Sequence, residues 1–282
     1  MKNPHRTQRI AFSFLFLATL LIVIPVGLIV VIIIQKGLPA INWQFLSDMP
    51  RQGMRAGGIF PAIIGTFYLV IGAVTFALPI GLLAAVYLSE YSKGNMLTRL
   101  IKLAIVNLAG VPSVVYGLFG LALFVVFFKF GASILSGSLT LGIMILPIII
   151  TTSREALESV PQSFREVSLS LGASKWQTIR HIVLPNAIPG ILTGTILGLG
   201  RAAGETAPIL FTVAAFYLPQ LPHSVFDQVM ALPYHLYVIS TQVPNVDEKV
   251  RYGTAFVLLT LVLIMNLVAI IIRYKFRQRK KW

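Results

Sequence analysis

The chain has 282 residues, 56% of them hydrophobic and 11% charged, with a mean hydropathy of +0.84. Soluble domains carry about 25% charged residues, so this composition excludes a water-soluble enzyme and describes a polytopic membrane protein. Lys and Arg outnumber Asp and Glu by 23 to 9, a net charge of +14, but the positives flank apolar runs as topology signals and lipid contacts; cysteine is absent, which excludes disulfides and thiolate metal sites.

The first apolar run, residues 10–34, follows a tail (residues 1–9) bearing Lys2, Arg6 and Arg9. It is longer than the roughly 7–15-residue apolar core of a secretory signal, and no small-residue cleavage site follows, so a retained first transmembrane helix is expected. Crossing roughly 30 Å of hydrocarbon takes about 20 apolar residues. Five further runs qualify: residues 61–88, 100–128, about 133–152, 187–216 and 254–272. Pro112, Pro147 and Pro208 lie inside them and predict kinks. The fold class expected is therefore all-α, with a six-helix membrane core. Residues 35–60 and about 217–252 form outer loops, the core runs from 61 to 272, and a basic tail occupies 273–282. The outer loops either cap the core, meet an external partner, or serve as simple connectors.

Charge orients the stack. Lys93, Arg99 and Lys102 oppose Glu90 in one connection. Arg154, Arg165, Lys175 and Arg180 oppose Glu155, Glu158 and Glu166 in the next on that side. The tail carries Arg273, Lys275, Arg277, Arg279, Lys280 and Lys281 without an acid. The other loops are poorer, apart from Lys36, Arg51 and Arg55 against Asp48. The positive-inside rule then places both termini and the loop at about 153–186 in the cytoplasm.

That loop is structured by its own chemistry. Pro161 suits the first turn of a short helix bearing Arg165, Glu166 and Leu169. Gly172 suits the left-handed residue that ends it, and Ser174-Lys175-Trp176-Gln177 suits a capping box that starts the next. The result is a helix–turn–helix elbow presenting Leu171, Ala173, Ser174 and Trp176. A surface-lying amphipathic hairpin is the plainer alternative.

Arg201 and Glu205 sit in the apolar segment 190–210, where a charge costs about 2.5–3.5 kcal/mol on insertion scales. At about 100° per residue, Gly190, Gly194, Gly198, Arg201 and Glu205 share an arc of about 80° on a continuous helix. Such a stripe predicts a close helix–helix seam opening into a polar site. A guanidinium is a fitting oxyanion ligand, so Arg201 and Glu205 are candidates for a substrate path, with a structural ion pair as the alternative. Arg154 is a weaker candidate, by default an anchor. Asn107, Ser113 and Tyr116, around Pro112, serve as substrate contacts or as interhelical glue. His5, His181, His223 and His235 show no metal spacing. No Gly-Lys pair exists to build a phosphate loop, so any ATP hydrolysis belongs to another chain.

Glu166, Gly172, Ile182, Leu184 and Pro185 stand in the register of the EAA loop and resemble that motif of ABC-importer permeases, with Val167 and Ser168 in place of its two alanines. The segment GRAAGETAPIL (200–210) is similar to one in the phosphate-specific, PstA-type branch, as are residues 57–70, 78–91 and 107–120. The resemblance implies a type-I permease fold. It implies ATPase docking at Glu166, Leu171, Gly172, Ala173, Ser174, Trp176, Ile182, Leu184 and Pro185. It further implies a second permease (PstC-like), an ATPase dimer (PstB-like) that holds ATP and Mg, and an external phosphate-binding protein (PstS-like). No cofactor is expected in this chain, and the location implied is the bacterial inner membrane. Other readings are a molybdate or sulfate permease, an ion-coupled transporter or channel, and a membrane enzyme, for which no catalytic constellation is present.

Overall fold

The computed structural model of the chain describes residues 4–92 and 94–278, without the side chains of residues 4–7, 10 and 11. Lys2, Lys93, Arg279, Lys280 and Lys281, with the His5 and Arg6 side chains, lie outside the described residues. α1 (Pro4–Gly37) leads through α2 (Trp43–Ser47) and a small antiparallel ribbon, β1 (Pro50–Arg51) with β2 (Ala56–Gly57), into α3 (Phe60–Val86). Then follow α4 (Met96–Ala109), α5 (Ser113–Gly120), α6 (Ile134–Glu158), α7 (Gln162–Ser170), α8 (Lys175–Thr178), α9 (Leu184–Gly204), α10 (Ala207–Thr212), α11 (Leu232–Thr241) and α12 (Glu248–Gln278). Among the described residues, five helical stretches are long and apolar enough to cross a membrane, and the bent pair Met96–Ala109 with Ser113–Phe127 makes a sixth.

Burial orders the bundle. α3 and α6 pack along each other, and α9 lies on α6. Leu69, Ala73 and Ala77 of α3 meet Leu141, Met144, Ile145 and Ile149 of α6 in the main core. A smaller core joins Ala85, Ala156, Leu157, Val183, Ala187 and Ile191. The central window of α1 is not buried at all, and that helix leans on α12. A helix apolar on every side and left bare is stable only where hydrocarbon is the solvent.

The ends of α6 define the two ends of the bundle. At its start, the backbone N–H of Ile134 donates to the carbonyl of Asp227 (2.9 Å) and that of Leu135 to Val225 (2.9 Å), among the long loop. At its finish the carbonyls of Leu157 and Val160 accept from Arg165 of α7, the elbow end. α3 finishes at the elbow end and α6 starts at the loop end, so the bent pair between them carries the chain across.

Two of the spans expected to kink at proline are broken outright. The third turns by 103° between α4 and α5. Pro112 has no N–H to offer and disfavours helical geometry at Val111, so α4 stops at Ala109. The fifth ends at Gly204, because in a continuous helix the ring of Pro208 would meet the carbonyl four residues earlier. This corrects the expected single helical face: Glu205 is extended (φ −78°, ψ 134°) and lies beyond the helix that carries Arg201.

The loop at about 217–252 is not a peripheral connector. Val229, Met230, Ala231 and Leu232 are 2% exposed or less. The Met230 carbonyl lies against Gly65 where any Cβ would intrude, and the Leu232 N–H donates to Thr66 Oγ1 at 2.8 Å. The loop therefore plugs the loop end of the bundle.

Candidate functional site

The two breaks meet. Gly117 of α5 lies 3.0 Å, measured from where its Cβ would stand, from the Ala207 carbonyl and from Pro208 at the start of α10. Tyr116 reaches back across the first break, its hydroxyl donating to the Leu108 carbonyl at 2.7 Å. It thereby adds a donor to a carbonyl that Pro112, lacking an N–H, cannot serve and that otherwise takes only the Val111 N–H at 3.1 Å and the Gly110 N–H of the closing turn, the role of interhelical glue.

Beside this junction, Arg201 Nε donates to Glu205 Oε1 at 3.4 Å, and the two side chains are 30% and 20% exposed. Arg201 occupies the last turn of α9, where the negative end of the helix dipole favours a cation. Glu205 lines a small internal space with Thr66, Ala202, Ala203 and Pro233. Among the described residues the guanidinium makes no hydrogen bond besides that single, long one. Its remaining donors can therefore receive an oxyanion in a forked geometry.

The small residues of α9 bring it against α6. Gly190 faces Ala156, Gly194 faces Thr152 and Gly198 faces Ile145 and Ile149. Arg154 is not brought to Arg201. It pairs with Glu158 at 3.9 Å near the elbow end, about 14 Å along the bundle at 1.5 Å per residue.

At the elbow end, α7 closes in a Schellman turn. The Ala173 N–H donates to the Ser168 carbonyl (3.2 Å) and the Gly172 N–H to Leu169 (3.0 Å), with Gly172 at φ +85°. The capping box is complete: Ser174 Oγ accepts from the Gln177 N–H, and Gln177 Oε1 accepts from the Ser174 N–H. A buried hydrogen bond of 2.8 Å between Ser168 and Thr178 locks the two arms. The corner is left apolar and bare, with Leu171 83% and Trp176 52% exposed. Glu166, Gly172, Ser174 and Pro185 are exposed beside it, and Ala173 and Ile182 are half-buried. Leu184 instead packs on the smaller core. A π turn, Ile179–Val183, joins the elbow to α9.

Sequence reasoning counted Arg165 and Glu90 only as topology charges. Here they pair at 2.7 Å, with side chains 12% and 8% exposed. Arg165 also donates to the carbonyls of Val160 (2.7 Å) and Leu157 (2.9 Å) at the end of α6. The available signal was an acid at the very end of an apolar span facing a basic connection. Among the described residues, no group of three or more His, Asp or Glu could hold a metal ion.

Comparison with known proteins places this arrangement. The family described as binding-protein-dependent transport system inner membrane component matches residues 77–282. The probable ABC transporter permease protein YqgI of Bacillus subtilis is 34% identical over 95% of each chain. The phosphate transport system permease protein PstA 1 of Mycobacterium tuberculosis is 34% identical, over 96% of this chain and 89% of that one. Among solved structures, a bacterial ABC transporter involved in alginate import superposes with TM-score 0.63 at 16% identity, over 98% of this chain and 100% of that one. An inward-facing MetNI methionine ABC transporter superposes with TM-score 0.61 at 16% identity, over 76% and 94%. These structural likenesses show a type-I importer permease fold. The chain is a membrane translocation subunit and belongs to the family of binding-protein-dependent transport system inner membrane components.

Proposed function

We propose that this chain forms half of the translocation path of an ATP-driven importer for inorganic phosphate. The observation that carries the substrate is the Arg201 guanidinium, open to an oxyanion where two broken spans meet. The PstA-named relatives support it. In this reading the elbow end faces the cytoplasm of a bacterial inner membrane. A PstB-like ATPase dimer, holding ATP and Mg, seats on the bare corner of Leu171 and Trp176. A PstC-like permease completes the path, and a PstS-like binding protein delivers phosphate at the loop end. ATP-driven closure of the ATPase moves the elbow and switches the spans between two accesses. Arg201 binds the anion, and Glu205 holds the guanidinium in place and competes with the anion for it, so release is built into the site. The chain itself makes and breaks no covalent bond.

Radiolabelled phosphate uptake, competed with sulfate and molybdate, tests this. A strain carrying Arg201→Gln is expected to lose high-affinity phosphate uptake while the assembled complex remains in the membrane. Uptake equal to wild type would show that Arg201 does not line the path, and suppression by molybdate or sulfate rather than phosphate would reassign the substrate.

A further inference from the structure

The elbow has two covalent routes into the bundle. Residues 159–161 tie α7 to the end of α6, and the Ile179–Val183 π turn runs α8 into α9. α3 has no such link; Glu90 is 75 residues from Arg165 in sequence. Yet both arms of the elbow grip the end of α3. Arg165 of α7 holds Glu90 through Nε (3.3 Å to each carboxylate oxygen) and Nη2 (2.7 Å). Lys175 of α8 sits 4.8 Å over the ring of Tyr91. Both targets belong to one π turn, Tyr87–Tyr91, closed by the Ser92 N–H donating to the Tyr87 carbonyl at 2.9 Å. A π turn carries one residue more than an α turn, which re-aims the side chains after it.

We propose that Arg165 is the positioning residue that transmits movement of the elbow to α3, using the Tyr87–Tyr91 π turn as its handle. The idea rests on the importer reading above. The apolar contacts of the smaller core at this end, on which Leu82, Val86 and Leu184 pack, have no direction and can slide. A forked, charge-assisted pair shielded from water has direction and holds register. The same guanidinium holds the Leu157 and Val160 carbonyls, so α3, α6 and α7 move as one body around it. Only arginine has the planar fork for this; lysine keeps the charge and loses the geometry.

The complex of this chain with its second permease and ATPase, in proteoliposomes loaded with the binding protein and inorganic phosphate, tests it. Arg165→Lys and Glu90→Gln are expected to retain the ATPase and its ATP hydrolysis, while ATP consumed per phosphate moved rises about tenfold, the effect of losing one such charge-assisted contact. Hydrogen exchange supplies a readout independent of substrate. In wild type, adding ATP changes the protection of residues 87–92 together with that of 162–170; in both variants the change stays in the elbow. A wild-type ratio and wild-type exchange in both variants overturn the proposal. So does loss of assembly in both, which makes the pair a folding element only. Wild type that hydrolyses ATP but moves no phosphate defeats the importer reading instead, and the exchange experiment then still decides the role of Arg165.

Discussion

Gly194→Ala probes the α6–α9 seam on which the junction stands. A Cβ there would overlap Thr152 Oγ1 and come 2.7 Å from Thr152 Cβ, 0.7 Å short of the 3.4 Å where ordinary contact begins. The hydroxyl can swing away from its bond to the Ile148 carbonyl (2.8 Å), but the Cβ is fixed to α6. The helices must part, loosening the contacts of Gly190 with Ala156 and of Gly198 with Ile145. Overpacking of this kind costs about 1–3 kcal/mol. Replacing glycine by alanine inside a helix returns about 1 kcal/mol, so the clash wins above the bottom of that range and the net loss is up to about 2 kcal/mol. In a chain of this size that lowers Tm by up to about 8 °C. Thermal unfolding of the detergent-purified chain measures it. Thr152→Gly in the same chain removes both offending atoms, so the Gly194→Ala step should cost much less in that background. A Gly194→Ala chain melting at or above wild type, or the same step cost with Thr152→Gly, would refute the seam argument.

Tyr116→Phe removes the hydroxyl bond to the Leu108 carbonyl, which keeps its backbone donors, and should lower stability by about 0.5–1.5 kcal/mol, read from the same melts. Burial alone holds the His235 imidazole down to about 4 from the ordinary 6.5, so the folded state prefers it neutral. Its contribution to stability is therefore complete above pH 6.5 and is lost as pH falls toward 4, by up to about 3 kcal/mol. His235→Phe should flatten the melting temperature over that window; an unchanged pH dependence would refute the assignment. Gly172→Ala meets no neighbour but must hold φ +85°, a strain of about 1–2 kcal/mol. It should distort the corner, and the fraction of ATPase retained on purification should fall while the membrane core melts as before.

Much of this was written in short stretches of sequence. Apolar runs of sufficient length marked the spans, and Gly172 with the Ser174–Gln177 box marked the elbow, because helix caps and turns are satisfied within a few residues. The glycines of α9 marked a close seam, because spacing alone puts them on one face. The breaks were less readable. Pro25, Pro79, Pro147 and Pro189 stay inside helices, while Pro112 and Pro208 end them.

What the sequence determined by itself is a helical membrane chain with a helix–turn–helix elbow and one charged pair in an apolar run. Tertiary structure decided the rest. It moved Glu205 off the helix of Arg201, drew the 229–232 segment into the core, and joined Arg165 to Glu90 across 75 residues. A proline frees backbone groups in the same way wherever it falls. Whether the helix then bends or breaks depends on who serves those groups, and in this chain one server is Tyr116, placed by packing between helices. Charge pairing follows the same logic, since a carboxylate at the end of a span declares only that it needs a partner, and the folded bundle supplies which one.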